Sequence, residues 1–78
     1  MNLGDEIREV TKHIQAAEEA IHRQQRVIAR FEAEGLPTMV ENDLLHAFQQ
    51  VLGKHEAKLA RLVYEQNLAQ AEIRGESP

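Results

Sequence analysis

Two histidines in this chain follow a carboxylate at a spacing of three residues, in Glu19-x-x-His22 and Asp43-x-x-His46. Helical bundles that hold two metal ions use Glu-x-x-His pairs whose side chains project into the core. Here all four residues fall on the outward sides of the predicted helices, and this spacing is common in helical sequences by chance. We therefore expect solvated faces at both pairs and no metal site.

Three polar residues interrupt otherwise apolar helical stripes, namely Gln24, His55 and Gln66. We interpret them as side chains whose hydrogen bonds, within or across subunits, satisfy buried polar groups and fix the helix register. The alternatives are a ligand or proton site around His55, and partial exposure. No Ser or Cys nucleophile, glycine-rich phosphate loop or core-facing carboxylate pair accompanies this histidine. We expect neither an enzyme nor a bound cofactor.

Arg23, Arg26 and Arg30 form a basic cluster on the outer face of the first predicted helix. Such a face could bind the phosphates of RNA or DNA. Glu19 and Glu34 flank the cluster, and the chain has nine basic against thirteen acidic residues, a net charge of −4. This balance argues against general nucleic-acid binding. The alternative is a charged face with local ion pairs.

Two heptad stripes predict the elements that position these residues. The first advances by alternating steps of four and three: Leu3, Ile7, Val10, Ile14, Ala17, Ile21, Gln24, Ile28, Phe31. The second advances by steps of three and four: Leu45, Phe48, Leu52, His55, Leu59, Leu62, Gln66, Ala69, Ile73. A sustained seven-residue repeat predicts long helices packed along a left-handed seam. We expect a single domain over residues 1–78, with residues 1–2 frayed, helices over about 3–34 and 39–74, and a disordered tail over 75–78.

The stretch between the stripes combines a helix stop with a helix start. Gly35 can adopt the left-handed conformation of a Schellman ending, and Pro37 then disfavours further helix. Thr38-x-x-Glu41 is a capping-box pattern, in which each side chain would accept from the backbone N–H of the other residue. The chain is therefore predicted to be an all-α helical hairpin, with its turn at residues 35–38.

An antiparallel hairpin pairs residues whose numbers sum to a constant. A sum of 76 places every residue of one stripe opposite a residue of the other. In this register Gln24 opposes Leu52 and His55 opposes Ile21, so the two polar residues occupy adjacent layers. A sum of 69 also matches the heptads, but it leaves the second helix overhanging.

The apolar stripes are wider than two helices can cover, because Ala20 and Val27 widen the first, and Leu44, Val51 and Val63 widen the second. The chain has no cysteine for disulfides, and a chain this short is marginally stable alone. We therefore expect two hairpins to form a homodimeric four-helix bundle. A higher oligomer and a heteromeric partner are the alternatives. The expected dimer core comprises Ile7, Ile14, Ile21, Ile28, Phe31, Leu45, Phe48, Leu52, Leu59 and Leu62.

Residues 12–63 combine a first helix rich in arginine and glutamate, a Gly35-x-x-Thr38 turn and the pattern Leu44-Leu45-x-x-Phe48-x-x-x-Leu52-x-x-His55. This combination resembles a group of short bacterial helical proteins of uncharacterised function. The resemblance implies a bacterial, cytoplasmic hairpin protein with His55 at the histidine position of the group, and it implies no activity.

The expected function is a protein–protein interaction or adaptor module that acts as a homodimer, with a second protein as a further partner. The alternative is a small regulator that binds RNA or DNA through the arginine cluster. A membrane association is not expected, because no apolar run approaches the roughly 20 residues of a membrane span.

Overall fold

The computed structural model describes residues 2–75 and is a hairpin of two helices. Helix α1 spans Leu3–Ala33 and helix α2 spans Met39–Ile73. These bounds differ from the predicted ones by at most one residue at each end. Met1 and the predicted tail beyond Gly75 lie outside the described residues.

The hairpin is a single layer of two helices, 62 Å long, 19 Å wide and 16 Å thick. Its radius of gyration is 18.3 Å, whereas a compact chain of this length would have about 11–12 Å. Each helix is covered on one side only, so the buried residues are few: Val10, Ile21, Gln24 and Leu62. Neither described helix has the length and apolar character that a membrane crossing requires.

The N-terminus of α1 is capped by Asn2, whose side-chain oxygen accepts from the backbone N–H of Asp5 at 2.8 Å. Acidic Asp5 and Glu6 occupy the first turn, where a negative charge stabilises the helix dipole. The side chain of Asn2 thereby satisfies one of the free N–H groups at the helix start, a contact that was not predicted for residue 2.

The C-terminus of α1 is the Schellman ending predicted for Gly35, which has a φ of 71°. The N–H of Leu36 donates to the carbonyl of Phe31 at 2.9 Å, and the N–H of Gly35 donates to the carbonyl of Glu32 at 3.1 Å. These two bonds satisfy carbonyl groups that the end of a helix leaves free.

The capping box predicted for Thr38 and Glu41 is not formed. Thr38 has a φ of −118° and a ψ of 8° and makes no side-chain cap hydrogen bond, because this ψ lies far from the extended conformation usual at an N-cap. Its hydroxyl instead accepts from the side-chain amide of Asn42 at 3.1 Å. The Glu41 carboxylate accepts from Gln24 on the opposite helix.

The helices do not pair with a residue sum of 76. Gln24 contacts Glu41 and His13 contacts His55, so the observed pairs sum to 65 and 68, close to the alternative of 69. Helix α2 therefore begins alongside the last turns of α1 and extends past its start. The predicted pairing of Leu3 with Ile73 is wrong, and Ile73 is 85% exposed.

Candidate functional site

One side of the hairpin carries an apolar groove of about 440 Å³ between the two helices. It is lined by His13, Ala16, Ala17, Ala20, Phe48, Val51 and His55. The two histidines are the only titratable residues in this lining. The small side chains of the alanines make the α1 wall of the groove shallow. Val51, on the α2 wall, is 45% exposed. The groove thus offers a shallow apolar surface that a large partner could cover.

The two histidines of the groove contact each other across the helices. Their ring centroids lie 5.2 Å apart, and the ring planes are inclined by 47°. His55 is half-buried as part of the α2 stripe, but its neighbour is His13 and not Gln24. His13 was not predicted to contact His55. A residue sum of 69 places His55 opposite Ile14, which directly follows His13 in the chain.

The histidine pair provides fewer ligands than the three or four protein ligands that a zinc site needs. Among residues 2–75, no group of three His, Asp or Glu side chains gathers at a spacing that could hold a metal ion. Glu19, His22, Asp43 and His46 all lie exposed on the helix surfaces. The groove therefore provides apolar contact, and the described side chains do not assemble a coordination site.

Gln24 is buried, with 6% of its surface exposed, and links the two helices. Its Nε2 atom donates to the backbone carbonyl and to the Oε2 atom of Glu41, both at 2.9 Å. Glu41 lies in the first turn of α2, so these bonds tie the start of α2 to the side of α1. Gln66, the other glutamine of the stripes, is half-buried.

The arginine cluster lines a second groove, of about 390 Å³, formed by Arg23, Arg26, Val27 and Arg30. All three arginines are exposed. Within the described residues, none has a carboxylate oxygen within 4.0 Å, and the ion pairs that do form lie elsewhere on the helices. The interpretation of a face with local ion pairs is therefore wrong for these three arginines.

The apolar residues expected in a dimer core are incompletely covered in the single chain. Ile21 and Leu62 are buried, and the other eight are half-buried between the helices. Beside them, Leu44 and Val51 are 42% and 45% exposed on the α2 flank that the sequence marks as apolar. The apolar surface therefore continues from the helix–helix seam to the side of the hairpin that carries the groove.

Comparison of the chain with protein-family models, curated proteins and solved structures finds no match. The resemblance to short bacterial helical proteins therefore stays a prediction.

Proposed function

We propose that the chain is a protein–protein interaction module that acts as a homodimer, in which two hairpins form a four-helix bundle. The observation that supports this proposal best is the apolar groove together with the exposed flank of α2 beside it. A second hairpin laid on this side would cover the alanines, Val51 and Leu44. Four helices would then surround one common core, as in other bundles.

The energetics of burial favour this assembly. Full burial of a Val, Leu, Ile or Phe side chain stabilises by about 1.5–3 kcal/mol relative to exposure. Eight of the ten residues expected in the core are incompletely buried in one hairpin, and Leu44 and Val51 beside them are 42% and 45% exposed, so part of this stabilisation is still available. A stable interface takes about 800 Å² from each partner, and one side of a molecule 62 Å long and 19 Å wide can supply that area.

A single charge in the groove tests the proposal. We expect Val51→Glu to convert the dimer to a monomer in sedimentation experiments at micromolar concentration, because the carboxylate would lose water at the interface. Tyr64→Glu is the matched control, since Tyr64 is 66% exposed and points away from the helix seam. Circular dichroism verifies that both variants are helical. A Val51→Glu variant that dimerises as well as the wild type would contradict the proposal, as would a monomeric wild type.

A second candidate function is a small regulator that binds RNA or DNA through Arg23, Arg26 and Arg30. It is favoured by the absence of a carboxylate near any of these arginines in the described chain. Three guanidinium groups at spacings of three and four residues share one helix side. Each can donate two parallel hydrogen bonds to a phosphate.

Gel mobility shift at physiological salt tests this second candidate. If it holds, the wild type shifts a short RNA or DNA duplex, and the triple variant Arg23→Glu, Arg26→Glu, Arg30→Glu does not. The control reverses three cations on α2, Lys54→Glu, Lys58→Glu and Arg61→Glu, with the same change in net charge. Binding that is lost equally in both triple variants, or no shift by the wild type, would reject the arginine face.

A further inference from the structure

We infer, on the basis of the proposed homodimer, that α1 packs antiparallel against α1 of a second copy and that Arg30 of each copy pairs with Glu9 of the other. The partner of Arg30, at the end of the arginine cluster, is thus a second copy of this chain. This inference adds an orientation and a specific pair of charges to the proposed bundle.

A second stripe on α1 supports this arrangement. It advances by alternating steps of four and three residues and comprises Glu9, His13, Ala16, Ala20, Arg23, Val27 and Arg30. Its central residues line the apolar groove, and its last three line the arginine groove. Since the steps follow the helix repeat, these residues lie along one side of α1. The stripe is therefore acidic at its start, small and apolar at its centre and basic at its end.

When the stripe is reversed about Ala20, the charges at its two ends become complementary. An antiparallel copy places Glu9 opposite Arg30, His13 opposite Val27, and Ala20 opposite the same residue of the partner. In a two-fold interface every such pair occurs twice. The alanines at the centre allow close packing, since the distance between helix axes depends on the side chains at the contact. The longer charged side chains can then meet at both ends.

Charge selects the antiparallel direction. In a parallel pair the three arginines of one copy would lie against those of the other, and within residues 2–75 none of them has a carboxylate within 4.0 Å to offset the repulsion. In the antiparallel pair Arg30 gains a carboxylate that it lacks within the described chain. Glu9 is available for this role, because the ion pair that it forms with Lys12 is 3.8 Å long and solvent-exposed. Such exposed pairs contribute little.

A nucleic acid would use the arginines differently. In phosphate binding, all three guanidinium groups would contribute similar electrostatic attraction. In the antiparallel pairing, Arg30 forms an ion pair, whereas Arg23 lies opposite Ala16 and forms none. Arg23 is therefore a matched control for Arg30, because both residues are exposed arginines of the same stripe.

A charge swap tests the pairing. We expect Arg30→Glu to weaken dimerisation about tenfold or more, because two attractive pairs become repulsive. The double variant Arg30→Glu with Glu9→Arg should return the dissociation constant to within about threefold of the wild type. The two residues exchange their charges, so both pairs are attractive again. Arg23→Glu should weaken the dimer less, and Glu9→Arg should not rescue it. Sedimentation equilibrium measures all five proteins.

A distance measurement tests the direction independently of charge. The chain has no cysteine, so Arg8→Cys accepts a single spin label near the start of α1. The antiparallel dimer places the two labels about 35 Å apart, from the axial rise of the helix, whereas a parallel dimer places them within about 20 Å.

A wild-type dimer with a short label distance, or with no rescue in the double variant, would overturn the inference and leave the homodimer standing. A monomeric wild type would overturn both. Binding of an RNA or DNA duplex that depends equally on Arg23 and Arg30, with the dimer unaffected by either, would replace the second copy by a nucleic acid.

Discussion

Gln24 is the buried polar residue among residues 2–75, and its surroundings explain why a glutamine can occupy an apolar stripe. Its amide donates to both the carbonyl and the carboxylate of Glu41. A buried donor without a partner costs about 1–3 kcal/mol. The stripe alone predicts that Gln24 needs a partner, but the identity of that partner depends on which residues of α2 lie opposite, and the heptad pattern leaves two registers open.

The hydrogen bonds of Gln24 should be measurable as a coupling energy. We expect Gln24→Ala to lower the free energy of unfolding by about 2 kcal/mol, because it removes these bonds and leaves a small cavity. Glu41→Ala should cost about 1 kcal/mol, and the double variant should cost about 1 kcal/mol less than the sum of the two. Urea unfolding at one fixed chain concentration measures this. Additive effects of the two substitutions would contradict the contact.

The two helix N-termini should respond differently to loss of their cap residues. Asn2 caps α1 through its side chain, so Asn2→Ala should cost about 1 kcal/mol. Thr38 makes no such bond, so Thr38→Ala should cost less than about 0.5 kcal/mol, well below the usual loss at an N-cap. Thermal unfolding of both variants checks the ranking, and a larger loss at Thr38 would show that the capping box forms after all.

At the scale of the helices, local signals place the ends of α1 and α2 within one residue of those observed, although the capping box predicted at the start of α2 does not form. The heptad steps continue without a break on both sides of the turn, and Gly35 has the positive φ expected of it. The register was harder to predict, because a shift of one heptad preserves the apolar pattern. The register near a sum of 69 is the one observed, and it brings the distant residues Gln24 and Glu41 into contact. This register leaves Ile73 beyond the start of α1.

Two exposed glycines should respond to alanine with opposite signs. Gly35 has a φ of 71°, so Gly35→Ala should destabilise the hairpin by about 1 kcal/mol. Gly53 lies inside α2, and a Cβ atom there would meet nothing within 4 Å. Gly53→Ala should therefore stabilise by about 0.5–1 kcal/mol through helix propensity. Denaturation midpoints measure both, and destabilisation by Gly53→Ala would indicate that another chain approaches this position.

At the scale of the whole molecule, the hairpin is too thin to enclose a core of its own. Its thickness of 16 Å is less than two helix diameters with side chains, so only Val10, Ile21 and Leu62 are buried among the apolar residues that the structure describes. The width of the apolar stripes predicted this shortfall from the sequence. The contact of His13 with His55, and the lack of ion pairs at Arg23, Arg26 and Arg30 within residues 2–75, could not be predicted, because both depend on register and side-chain conformation.

The mass of the wild-type protein in solution tests the central claim most directly. Multi-angle light scattering of the protein eluting from a gel-filtration column at micromolar concentration should give twice the chain mass of 8.9 kDa. The elongated hairpin makes elution volume alone an unreliable guide to mass, whereas scattering is independent of shape in this size range. A mass of twice the chain, unchanged on moderate dilution, is the predicted result. A single-chain mass for a fully helical protein would contradict the homodimer.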